Sequence, residues 1–169
     1  MPAYVYICLI FLLSLFSSVE LFAQEKFEKE SRIKQRDVPQ KALDFIESAN
    51  IKGKMKWYLE QGLNRKSIEV KFQQNRKRFS VEFDTLGTIE DVEIELKATE
   101  LPASLNNTIN TQLQNDCIKY KIEKIQVQYS GSEELLLAKL KNLSSVQNLV
   151  TKYEVVVKCT FKNNVELLE

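Results

Sequence analysis

Apolar residues at every second position constrain this chain more than any other feature. Met55, Trp57 and Leu59 alternate with Lys56, Tyr58 and Glu60. Ile68, Val70 and Phe72 alternate with Glu69, Lys71 and Gln73, and Phe79, Val81 and Phe83 with Ser80, Glu82 and Asp84. Val92, Ile94 and Leu96 alternate with Asp91, Glu93 and Glu95. Successive strand side chains point to opposite faces, so each run must bury one face and wet the other. The runs are separated by Gln61-Gly62-Leu63-Asn64, by Asn75-Arg76-Lys77 and by Asp84-Thr85-Leu86-Gly87. Such sequences close tight turns, because Asn and Gly accept positive φ and Asp bonds its own following backbone. Ahead of them, Ala42, Leu43, Phe45, Ile46 and Ala49 recur at helical spacing. Asp37 can cap that helix and Pro39 suits its first turn. One helix and a four-stranded antiparallel meander are therefore expected over 38–98.

The pattern then restarts. Leu101-Pro102 repeats Val38-Pro39 at an offset of 63 residues, Ile109 repeats Ile46, and Lys119-Tyr120 repeats Lys56-Trp57. A helix is expected near 102–116 and a strand near Glu123 to Tyr129. The segment 132–150 interrupts the repeat, with Ser132-Glu133-Glu134 ahead of Leu135, Leu136, Leu137 and Leu140 reading as a capped short helix. Tyr153, Val155, Val157, Cys159 and Phe161 form a further alternating run, and Val165-Glu166-Leu167 echoes Val81-Glu82-Phe83. Unit 2, over 99–169, thus lacks a counterpart of the last strand of unit 1.

The segments VPQKALDFI, SIEVKF and FSVEFDTLGTIEDVEIE resemble the PepSY-like, β-lactamase-inhibitor-like domains of secreted Bacteroidetes-type proteins. The family's Phe-Asp-x-x-Gly turn with Ile or Val beyond it stands here as Phe83, Asp84, Gly87 and Ile89. The resemblance covers about 38–96 well and about 101–169 more weakly. It implies an α+β fold made of two degenerate tandem units, with helices packed on one face of an antiparallel sheet. It also implies a binding or inhibitory role on the sheet face. The matching positions are core and turn positions, so the family's inhibitory contacts do not carry over.

Residues 1–23 read as a signal peptide. Tyr4 to Phe16 is apolar except for Ser14, and Ala23 suits a cleavage site. An uncleaved anchor is the alternative, since about 20 residues can span a bilayer. Nothing later is apolar for long enough to span a membrane. Residues 24–37 carry mixed charge and read as a flexible leader. A secreted or periplasmic location is expected. There an oxidising compartment invites a disulfide between Cys117 and Cys159. Two separate buried thiols remain the other reading.

The charges nearly cancel, with 24 Lys+Arg against 23 Asp+Glu, and the chain has no His. A nucleic-acid binder should carry a basic excess, so that class is not expected. Without His there is no Ser-His or Cys-His nucleophile and no His metal site. No P-loop or nucleophile elbow is present. No catalytic residue, cofactor or metal is assigned.

The candidate partner-binding face consists of Lys56, Tyr58, Glu60, Glu69, Lys71 and Glu82, with Ser80 among them. Lys124, Gln126, Gln128, Glu154 and Lys158 would extend it. Tyr58 is the natural anchor, because Tyr is enriched at interfaces. An ordinary solvated sheet surface is the competing reading. Arg76, Lys77 and Arg78 form a basic hairpin tip. Glu90, Asp91, Glu93 and Glu95 form an acidic run that reads as protection of a strand edge.

The expected function is that of a non-catalytic module recognising or inhibiting an extracytoplasmic protein or peptide. An envelope structural or stress protein, or a carboxylate-dependent hydrolase using Asp84, are the alternatives. The edge left by the missing strand offers a route to self-association.

Overall fold

A computed structural model describes residues 29–142, 146–160 and 165–168. The expected signal segment, 1–23, lies outside the described residues. The fold is α+β. Eight antiparallel strands lie in the order in which they occur in the chain: β1 (Lys29–Ile33), β2 (Lys56–Gln61), β3 (Lys66–Gln74), β4 (Lys77–Asp84), β5 (Ile89–Glu95), β6 (Lys119–Ser130), β7 (Val150–Thr160) and β8 (Val165–Leu168). Three α-helices accompany them: α1 (Gln40–Ser48), α2 (Ala103–Asp116) and α3 (Glu133–Asn142).

The alternation works as expected. Trp57, Val70, Val81 and Val92 stand side by side on β2 to β5 and are all buried. Ala42, Phe45 and Ile46 of α1 lie on them. Phe45 meets Phe83 edge-on with ring centroids 5.7 Å apart, and Trp57 packs on the same ring. Phe83 is fully buried, and burial of such a side chain is worth roughly 2 to 3 kcal/mol.

Local chemistry sets the turns. Asn75 and Arg76 both take positive φ, 51° and 63°, the geometry that matches a two-residue hairpin to strand twist. Asp84 Oδ1 accepts the N–H groups of Leu86 at 2.9 Å and Thr88 at 2.8 Å. Gly87 follows at φ 87°, and a Cβ there would stand 2.9 Å from Ala42 N. Glycine therefore lets α1 start against this turn. Pro39, not Asp37, holds the cap position of α1; Asp37 belongs to a 3-10 turn over Gln35–Asp37.

One expectation needs correction. The leader expected over 24–37 contains β1, which pairs along β2 from Lys29 opposite Gln61 to Ile33 opposite Trp57. Pairing, not an apolar pattern, makes this strand. The short helix expected within 132–150 is α3, whose Leu136 and Leu140 are buried in the same core as Phe45 and Val81. α2 serves a separate, smaller core. Leu113, Cys117, Val157 and Cys159 are buried there, with Ile109, Tyr120, Ile122 and Val155 packed around them. Cys117 and Cys159 are disulfide-bonded. After α2 the described residues supply three strands, β6 to β8.

Candidate functional site

The face of the sheet opposite the helices is hollowed. Pairing aligns Arg32, Tyr58, Glu69, Glu82 and Asp91 in one row across β1 to β5. A neighbouring row holds Lys56, Lys71, Ser80, Glu93 and Gln128. Glu69 and Glu82 of the first row and Lys56, Lys71, Ser80 and Glu93 of the second line two adjoining hollows of about 650 Å³ and about 370 Å³. Glu69, Lys71, Ser80, Glu93, Lys124 and Gln126 line both.

Lys71 is the centre of the polar network. Its Nζ lies 2.8 Å from Glu30 Oε2 and 2.8 Å from Glu69 Oε2, and 5.2 Å from the centre of the Tyr58 ring. Burial pulls its pKa down, but the bonds to Glu30 and Glu69 outweigh that and hold it above the usual lysine value. Glu69 is only 6% exposed, and Ser80 donates its hydroxyl to it. A buried carboxylate needs such partners, since an unpaired one would cost several kcal/mol. Glu30, Glu60 and Glu69 bring carboxylate oxygens within 4.8 Å of one another, a spacing that suits a cation. The Lys71 ammonium already supplies that positive charge between Glu30 and Glu69.

Of the expected face residues, Lys56, Glu60, Glu69, Lys71, Ser80 and Glu82 line the hollows, with Lys124, Gln126 and Glu154. Tyr58 does not; its ring carries Lys71 instead of offering itself as an anchor. Lys54, Lys56 and Lys124 line the larger hollow. They are exposed and make no ion pair among the described residues. The face is therefore more than a uniformly solvated surface: Lys71 ties Glu30 and Glu69 together on its floor, while Lys54, Lys56 and Lys124 make no ion pair among the described residues.

Two other charged features proved structural. The basic tip is tethered, Lys77 to Glu100 at 2.8 Å and Arg78 to Glu95 at 3.3 Å. The acidic run does not guard an edge, because β5 lies between β4 and β6. Regular pairing puts Asp91 opposite Glu82, and the register shift that follows skips Glu90 and sets Ile89 opposite Phe83. Arg65 bridges Glu82, at 2.6 Å, and Glu90. Asp91 is 7% exposed; its Oδ2 accepts from Gln128 Nε2 at 3.0 Å, and its Oδ1 has no hydrogen-bond partner among the described residues. Burial first, then repulsion from Glu82, Glu93 and Glu90, pushes its pKa up to about 8. The Asp91 carboxyl is therefore protonated at neutral pH. It lines neither hollow.

Sequence reading missed the burial of Glu69 and Asp91, and the part played by Arg65. A signal for the second was present. Ile89 and Val92 are both core residues three positions apart, an odd spacing that forces a bulge into a period-two strand. Asp84, the residue named for a hydrolase, is held by the N–H groups of its own turn. The Thr88 bond foremost keeps its carboxyl below the usual range.

No family model, curated protein or solved structure matches this chain. Among the described residues, no helix is long and apolar enough to cross a membrane.

Proposed function

We propose that this chain is a secreted or periplasmic, non-catalytic binding protein that holds an extracytoplasmic protein or peptide in the hollowed sheet face. The observation that carries the reading is the set of ammonium groups without an ion pair among the described residues, Lys54, Lys56 and Lys124, around a hollow of about 650 Å³. Cations that make no ion pair among the described residues, beside a Lys71 already engaged by Glu30 and Glu69, favour a partner that brings carboxylates of its own. The PepSY-like resemblance supports the same reading, since it implies recognition by the sheet face. The signal-like segment at 1–23 supports the location.

The test is a peptide-display selection on the purified protein. Selected peptides should be rich in Asp and Glu. Their affinity should fall with added salt, because exposed charges are screened beyond about 10 Å at 0.1 M. Lys56→Glu combined with Lys124→Glu should weaken them by about tenfold or more. Peptides that bind the double variant as well as the parent would refute the proposed face.

A further inference from the structure

The sheet ends unevenly at β7. β6 pairs with β7 from Val150 to Thr160, whereas β8 pairs only with Val157 to Thr160. Among the described residues, no strand lies on the outer side of Val150 to Val156. Over its described residues the opposite edge, β1 (Lys29–Ile33), carries Lys29, Glu30 and Arg32, a charged edge of the kind that discourages pairing. The β7 edge has apolar side chains in the open, Val150 at 57% and Tyr153 at 39% exposure.

The direction of the backbone groups can be worked out. Leu96 N–H donates to Ile125 O at 2.8 Å, so Ile125 turns its backbone groups away from β7. Val155, directly opposite Ile125, is then in a non-hydrogen-bonded pair and turns its own N–H and C=O outward. Alternation gives Tyr153 and Thr151 the same direction. A second strand would find three N–H and three C=O groups waiting at a spacing it can match.

We propose that this edge pairs with the same edge of a second copy of the chain, antiparallel about a two-fold axis at Tyr153. Lys152 then faces the partner's Glu154, and Glu154 faces the partner's Lys152. Thr151 faces the partner's Val155, and Val150 faces the partner's Val156. Moving the axis to Lys152 or to Glu154 would set two like charges against each other, which disfavours both neighbouring registers. Only the Tyr153 register matches charge, and it also joins the outward backbone groups of Thr151, Tyr153 and Val155. The partner strand ends opposite Val156, one residue before β8 begins its own pairing. β8 and the incoming strand therefore lie end to end. The contact is isologous, so it closes at a dimer.

Sedimentation velocity over a wide range of protein concentrations tests the proposal, and the parent protein should dimerise. Lys152→Glu alone and Glu154→Lys alone each alter two symmetry-related pairs, and each should weaken the dimer about tenfold or more. The combined exchange restores both attractions and should return the affinity to within about threefold of the parent. Tyr153→Pro removes one outward N–H without touching the bonds to β6, and should give a monomer with an unchanged circular dichroism spectrum. A parent that stays monomeric, or a combined exchange as weak as the single variants, would overturn the proposal. If Tyr153→Pro does not fold, the charge exchange decides alone.

Discussion

Over β2 to β5 the sheet lies beneath α1 and α3, and one core runs without a break from Val38 to Leu140. At the α2 end the buried set shrinks to Leu113, Cys117, Val157 and Cys159. The two helices that lead these regions explain why. α1 offers Ala42, Phe45 and Ile46 as a buried stripe, followed by Ala49. α2 is longer, yet Leu113 is its sole buried residue, and Asn, Gln, Ser and Thr fill most of the rest. A helix with so narrow an apolar stripe gains little from packing. The covalent bond stands one residue beyond its end and ties it to β7. Where side chains cannot hold a helix down, a cross-link does.

The strongest way to break this contrast is Phe83→Ala. It removes a fully buried ring that touches both Phe45 and Trp57, and should cost about 3 to 5 kcal/mol. Urea unfolding should show the loss as one transition for the whole sheet, with no surviving α2 region. Replacing Cys117 and Cys159 by Ser opens a bridge between residues 42 apart, and should cost about 2 to 4 kcal/mol. Hydrogen exchange should locate that loss in α2, β7 and β8, leaving β2 to β5 protected. Equal loss of protection in both regions would erase the distinction.

Asp91→Asn tests the larger region from within. The folded carboxyl holds its proton up to about pH 8, while an unfolded one releases it near 4. The folded state binds the extra proton between those values. Stability from this group is full below about pH 4 and is lost as pH rises toward 8. Thermal melts of the parent should therefore fall across that window. Asp91→Asn should flatten the fall and gain on the order of 1 to 3 kcal/mol at pH 8. The smallest effect is expected from Arg65→Ala, which frees Glu82 and Glu90 at a half-exposed site. It should cost about 1 kcal/mol or less at low salt, and less still at high salt.

Much of the fold was legible because water enforces it residue by residue. Val70, Val81 and Ile94 are buried while Lys71 and Glu82 keep contact with solvent, as alternation requires. β1 was not legible: Lys29-Glu30-Ser31-Arg32-Ile33 has a single apolar residue and becomes a strand only because β2 offers it a ladder. The packing of α3 into the larger core was hidden too, since a leucine-rich stretch announces burial without saying beneath what. At the site, the face could be assigned from parity, but depth could not. Glu69 and Lys71 share that parity, yet one is buried and the other half-exposed. Depth depends on which strands flank a residue, and on contacts such as Lys71 with Glu30, a strand that sequence did not reveal. The disulfide stood open between two readings, because spacing along a chain does not give the distance between two β-carbons.

Every strand in this sheet is bonded to its immediate predecessor and successor in the chain. Assembly can therefore proceed like a zip: each new strand finds its template already in place, next to it in sequence, and no early strand must wait for a distant one. The widest gaps to be bridged are those across α1, α2 and α3, and closing such loops grows costlier only slowly with length. A β-rich chain wired in this way should order itself quickly, with the sulfur bridge sealing a geometry that the zip has already reached.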